Sequence, residues 1–86
     1  MEFEFDPAKS GLNKLKHGID FEEAQTIWAN DNWLELAVPS VEEPRYLVVG
    51  MIGEKYWTAV ITYRPDGIRL ISVRRARDAE IACYEG

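Results

Sequence analysis

The run Lys55-Tyr56-Trp57-Thr58-Ala59-Val60-Ile61-Thr62-Tyr63-Arg64 constrains this chain more than any other feature. Its β-branched and aromatic side chains lose rotamer freedom in a helix and fit a pleated, half-buried surface. Turn sequences bound it on both sides. Gly53-Glu54 reads as a tight hairpin turn before it. In Pro65-Asp66-Gly67 after it, Pro presets φ and Gly supplies φ > 0. A strand so bounded is the middle of two hairpins, with Arg45 to Ile52 before it and Ile68 to Arg74 after it. Trp33 to Val38, closed by Pro39-Ser40, reads as the strand that opens this antiparallel meander.

The first third of the chain carries helix signals. Asp6 can accept from orphan N–H groups, and Pro7 suits the first helical position, where its missing N–H has no partner to lose. Ala8, Leu12 and Leu15 follow at helical spacing while Lys9, Lys14 and Lys16 stay polar, and Gly18 is placed to stop the helix in the left-handed conformation. Asp20 and Glu23 form a capping-box pattern, and Ile19 can staple onto Ala24. Phe21, Ala24, Ile27 and Trp28 then make the apolar face of a second helix, which the turn cluster Asn30-Asp31-Asn32 ends. Ala76 to Tyr84 reads as a short C-terminal helix with a weak apolar pattern.

The expected fold is therefore α+β: two N-terminal helices, an antiparallel four-stranded meander and a short C-terminal helix. Glu2-Phe3-Glu4-Phe5 alternates with period two and suits a further short strand, outside those four. At 86 residues the whole of 1–86 reads as a single domain, because so short a chain builds one core. The opening Met1 to Asp6 lacks the apolar run of a secretory signal, no run is long enough to span a bilayer, and Cys83 has no second cysteine to pair with. These features point to a cytoplasmic protein.

The net charge of −5 argues against a nucleic-acid binder, but its distribution does not. Lys55, Arg64, Arg69, Arg74, Arg75 and Arg77 face only Asp66 within residues 55–77, whereas the preceding residues are strongly acidic. This basic block is either scatter over a solvated surface or a local phosphate-binding face. Other chemistries fit poorly. One His and one Cys make no usual zinc site, no glycine-rich phosphate loop occurs, and nothing supports a Cys83–His17 nucleophile pair. No cofactor or metal is called for.

A family resemblance rests on residues spread over nearly the whole chain. Phe3-x-Phe5-Asp6-x-x-Lys9 and Asn13-x-x-Lys16-His17-Gly18-Ile19-x-Phe21-x-Glu23-Ala24 resemble the N-terminal half of BrnT toxins. Arg45, Gly50 and the late run Arg69-x-Ile71-Ser72-x-Arg74-x-Ala76-x-x-x-Glu80-x-x-x-Tyr84 are similar too. Ile81 stands where the family usually carries Arg after this glutamate, and Arg64 precedes a compact Pro-Asp-Gly turn where relatives have a differently arranged polar loop. The resemblance implies a RelE-like toxin fold and metal-independent RNA cleavage. It also implies a BrnA-type antitoxin partner, with DNA bound only through that complex and no membrane contact.

Metal-free cleavage of RNA proceeds by attack of a 2′-OH on the adjacent phosphorus. It needs proton transfer to and from oxygen, and cations beside the charged phosphorane. The expected catalytic residues are Arg74, Glu80, His17 and Lys16, with Arg64, Arg69, Arg77 and Tyr84 as RNA-phosphate contacts. Each has a plainer alternative. His17, the one side chain with an intrinsic pKa near neutrality, either donates a proton or caps helix carbonyls. Lys16 either meets phosphate or is a solvated helix lysine. Arg74 either binds phosphate or pairs with Glu80, and Glu80 either accepts a proton or orients that arginine. Tyr84 either meets RNA or packs on the domain, and Trp33, Tyr56 and Trp57 read as core. Strict alternation puts Arg74 and Ser72 on one face of the last strand with Ile68 and Leu70, and Arg69, Ile71, Val73 and Arg75 on the other. The competing function keeps the fold without the chemistry: a degenerate toxin serving as binding partner in an antitoxin-containing repressor complex.

Overall fold

In the computed structural model, residues 2–39 and 43–86 are described. Ser40, expected to help close the first meander strand, lies outside them. The elements in chain order are strand β1 (Glu2–Glu4), helix α1 (Pro7–His17), a 3-10 helix (Glu23–Ala29), strands β2 (Leu34–Val38), β3 (Arg45–Ile52), β4 (Lys55–Arg64) and β5 (Gly67–Arg75), and helix α2 (Asp78–Glu85). The sheet order is β1-β5-β4-β3-β2.

The expected fold class needs correction. The sheet is mixed and five-stranded, because β1 pairs parallel with the start of β5, Glu2 with Gly67 through Glu4 with Arg69. A three-residue strand carries little pattern of its own, and a parallel partner some sixty residues away leaves no turn signal in the sequence. The second helix is a 3-10 helix. Its capping box forms as expected, with Glu23 N donating to Asp20 Oδ1 at 2.8 Å and Asp20 N donating to Glu23 Oε1 at 3.0 Å. The seven residues of this helix, Glu23–Ala29, include the β-branched pair Thr26-Ile27, which favours an α-helix little. Their shape answers to the core, where Ile19, Phe21, Ala24 and Ile27 are all buried.

β2 to β5 pair antiparallel in succession, and Gly53 turns the β3–β4 hairpin at φ 61°. Gly67 does not work as expected. The glycines at positive φ are Gly18 and Gly53. Gly67 is required instead by the close approach of β1, since a Cβ there would stand 2.0 Å from the Glu2 carbonyl oxygen.

β5 carries a bulge that reverses the expected faces. Val60 pairs with Ser72 but Ile61 pairs with Leu70, so Ile71 is an extra residue in β5. Beyond it the alternation flips. Ile68, Leu70 and Val73 share the core side and are buried, while Arg69, Ser72 and Arg74 share the other. α1 and the 3-10 helix lie toward the core side, and α2 crosses the opposite side at the end of β5, where Thr58 meets Glu80.

α1 starts and stops where the sequence indicates. Asp6 Oδ1 accepts from Ala8 N at 2.9 Å, and Gly18, at φ 80°, donates to the Lys14 carbonyl at 2.9 Å. Its orientation is the surprise. Ser10 and Asn13 are buried, whereas Leu12 and Leu15 are 64% and 85% exposed. Among the described residues, no helix is long and apolar enough to cross a membrane.

Candidate functional site

The basic block of the sequence separates into two places. Arg64 and Gly67 pair at the turn end of the β4–β5 hairpin, while Arg74 pairs with Thr58 near its other end. The β4 partners of Arg69 and Arg74, Thr62 and Thr58, are four positions apart, so the two arginines are separated by roughly 13 Å at strand rise. Arg64 and Arg69 are held at the turn end by Glu4: Arg69 Nη1 lies 2.8 Å and Arg64 Nε 3.7 Å from its carboxylate. Arg64 also lies 3.5 Å from Glu43.

Arg74 and Glu80 form the dense centre. The end of β5 delivers Arg74, and a two-residue link leads into α2, where Glu80 sits in the first turn. Arg74 Nη1 and Nη2 donate to Glu80 Oε1 and Oε2, both at 2.8 Å, in a parallel fork. Glu80 Oε1 also accepts from Thr58 Oγ1 at 2.9 Å and from the Arg77 backbone N at 2.8 Å. The Arg77 contact is a helix cap, in which the third residue of α2 reaches back to the amide before it. Thus Glu80 ties together β4, β5 and α2.

The electrostatics follow from this wiring. Hydrogen bonds from Arg74 lower the Glu80 pKa most; burial opposes them, and those from Arg77 and Thr58 assist, leaving it at about 2. A carboxylate so weakly basic accepts protons poorly at neutral pH. The same contact raises the Arg74 pKa and keeps the guanidinium charged. The two side chains are only 18% and 10% exposed, so the pair is screened little by water. Arg74 Nη1 also donates to the Arg75 carbonyl at 3.3 Å. Of its five N–H donors, Nε–H and one on Nη2 have no partner among the described residues.

The remaining expected site residues surround this pair unevenly. Arg77 supplies its backbone N–H to Glu80, and its side chain is exposed. Arg75 points to the core side of the sheet, with its guanidinium 5.5 Å from the Trp57 ring centre. Tyr84 is half-buried. Its hydroxyl donates to the Asn32 carbonyl at 2.6 Å, and its ring meets Tyr56 edge-on at 5.9 Å. Trp57 is core, as expected, while Trp33 and Tyr56 are partly buried.

The helix that carries His17 and Lys16 is tied to the end of β5 by Asn13, a residue to which the sequence assigns no role. Asn13 Nδ2 donates to the carbonyls of Val73 and Ile19, both at 2.8 Å, and Asn13 Oδ1 accepts from Val73 N at 3.1 Å. The amide therefore holds α1 against the residue next to Arg74. His17 lies one turn further along the same side of α1 and is half-buried, while Lys16 is exposed. The hydrogen bonds of Arg74 and Glu80 involve neither. Asn13 had one available signal, since an Asn inside a helical run is disfavoured unless its side chain is used. Thr58 had none, because a Thr in a β-strand is ordinary.

Comparison with known proteins bears on this arrangement. Residues 5–80 match the family model described as the ribonuclease toxin, BrnT, of type II toxin–antitoxin systems. The matched span includes α1, the whole β2–β5 meander and Glu80. No curated protein matches the chain significantly.

Proposed function

The chain belongs to the BrnT family of ribonuclease toxins from type II toxin–antitoxin systems, and on that premise we propose that it cleaves RNA without a metal ion at the Arg74–Glu80 pair and is neutralised by a BrnA-type antitoxin. The observation that carries this reading is the wiring of Glu80. Its carboxylate is saturated by Arg74, Thr58 and Arg77, and Arg74 retains two free donors on a fixed guanidinium.

In this reading Arg74 is the catalytic cation. A planar fork held rigidly by a carboxylate presents its unused N–H groups to a phosphate without reorganising, and such preorganised donors stabilise the charge that develops on the phosphorane. Glu80 is a positioning residue: it orients Arg74 and stays ionised throughout. His17 is the proton-transfer group, and Lys16 a phosphate contact at the end of α1. Arg69 and Arg77 extend the phosphate track along the sheet side that carries Arg74, with Arg64 further along at the turn end. Tyr84 borders the path at α2. The reaction takes place in the cytoplasm, where RNA is the substrate, and DNA is met only through the antitoxin complex.

The test is cleavage of a structured RNA in EDTA by purified chain, with and without a BrnA-type antitoxin. Wild type is expected to cleave and the antitoxin to suppress it. Arg74→Ala should slow cleavage by about 10²- to 10³-fold, the usual loss on removing one preorganised charge-stabilising donor. Arg74→Lys keeps the charge and loses the fork, and should recover only part of the rate. Absence of cleavage by folded wild type would assign the pair to structure and favour the non-catalytic partner in a repressor complex.

A further inference from the structure

α1 packs inside out. Ser10, Asn13 and His17 recur on one side of the helix, and that side faces the protein. Ser10 Oγ accepts from Phe21 N at 2.9 Å, and Asn13 makes the three buried bonds described above. The opposite side carries Ala8, Gly11, Leu12 and Leu15, all exposed. Leu12 and Leu15, at 64% and 85%, are with Tyr63 the exposed large hydrophobic side chains among the described residues. Helices of small domains bury their apolar stripe. Here polar anchors have taken the buried side, and the apolar stripe is unpartnered.

The charge around the stripe defines its occupant. α1 contains no acidic residue. Lys9 and Lys16 stand one turn to either side of Leu12, and among the described residues neither is in an ion pair. Lys14, on the other border, is engaged by Glu23 at 2.7 Å. A second copy docking with its α1 antiparallel would bring these free lysines against their own counterparts, which repel. RNA would find cations but no aromatic surface for its bases, and two leucines in the way.

We propose that this side of α1 docks an acidic amphipathic helix of the antitoxin, with apolar side chains on Leu12 and Leu15 and carboxylates on Lys9 and Lys16. The proposal rests on the toxin reading and adds the surface and the chemistry of the partner segment. The leucine stripe itself lies on the side of α1 away from Val73 and hence from Arg74, so Lys16 is the point at which antitoxin carboxylates and RNA phosphate compete. Helix on helix is a common way for an apolar stripe to be covered, and flanking charges select the partner.

The experiment uses the full chain and a BrnA-type antitoxin, with antitoxin affinity by calorimetry and RNA cleavage measured in parallel. Leu12→Glu/Leu15→Glu keeps helix-forming residues at exposed positions, so folding should hold, checked by circular dichroism. It should cleave RNA as wild type does and bind the antitoxin at least ten-fold more weakly. Lys9→Glu should weaken binding several-fold, with the difference shrinking at high salt. Unchanged antitoxin affinity of the leucine variant would overturn the proposal. So would conversion of a wild-type dimer to a monomer, or loss of RNA binding, when antitoxin affinity is intact. Those outcomes would identify a second copy or RNA as the occupant. Wild type that neither cleaves RNA nor binds the antitoxin would defeat the toxin reading itself, and this surface with it.

Discussion

The side-chain amide of Asn13 occupies both backbone hydrogen-bonding groups of Val73, donating to its carbonyl at 2.8 Å and accepting from its N–H at 3.1 Å. Parallel pairing with β1 ends at Arg69, so this part of β5 would otherwise present an open edge. Asn13 covers that edge with a group that both donates and accepts. Asn13→Ala is therefore expected to cost about 2–3 kcal/mol, because buried carbonyls and an N–H lose their partner. Asn13→Asp should be no better, since a carboxylate would face the carbonyls of Val73 and Ile19. Urea unfolding gives the cost, and accelerated amide exchange at Val73 locates it.

Glu80 should leave a mark on acid stability. Its folded pKa is held down to about 2 by Arg74, below the ordinary glutamate value of 4.5. A depressed carboxylate contributes stability that is complete above its unfolded pKa and is lost as pH falls through the folded value. The contribution, on the order of 3 kcal/mol, should disappear between about pH 5 and pH 2. Glu80→Gln should be less stable at neutral pH and flatter over that window. Carboxyl chemical shifts measured through the titration check the Glu80 pKa directly.

Thr58→Val tests the clamp without touching Arg74. The substitution preserves shape in a strand and removes one donor to Glu80. It should raise the Glu80 pKa and cost about 1 kcal/mol. If Glu80 acts by positioning Arg74, the variant should slow RNA cleavage modestly with little change in KM. An unchanged rate beside a shifted Glu80 pKa would count against that role.

Gly67→Ala should detach β1. The new Cβ would lie 2.0 Å from the Glu2 carbonyl oxygen and 2.8 Å from its carbon, both backbone atoms that cannot rotate away. The expected cost is about 2 kcal/mol. Loss of β1 would also release Phe3 from its edge-on contact with Trp28, whose rings lie 5.0 Å apart. Tryptophan fluorescence and amide exchange along the start of β5 report that release.

Arg69 and Arg77 should show as phosphate contacts in the salt dependence of RNA binding. Each contact removed by substitution with Ala should reduce the slope of log K against log salt by about 0.7 for a single strand. Arg69 has a second role as a partner of Glu4, but an exposed ion pair contributes only about 0.5 kcal/mol, so folding should survive. A slope identical to wild type would remove that arginine from the RNA track.

Local rules made much of this legible. The two hairpin turns, the boundaries of β3 and β4, the Asp6 and Gly18 ends of α1 and the Asp20–Glu23 capping box all follow from residues within a few positions of one another. Turns and caps are local chemistry, and period two identifies strands wherever the ladder is regular. The pairing of Arg74 with Glu80 was also within reach, since six residues separate them across a strand end and a helix start.

What local rules could not supply depends on partners far away in the chain. The Ile71 bulge moves Arg69 onto the Arg74 side of the sheet, and only the pairing of β5 with β4 reveals the extra residue. Gly67 answers to β1, not to its own φ. Thr58 completes the Glu80 clamp because β4 lies beneath α2. Above all, the sequence of α1 determines that it is an amphipathic helix but not which side is buried. That was decided by Asn13, whose amide satisfies three backbone groups, the Val73 N–H and the Val73 and Ile19 carbonyls; at about 1–3 kcal/mol each when left unpaired, together they offset leaving two leucines in water.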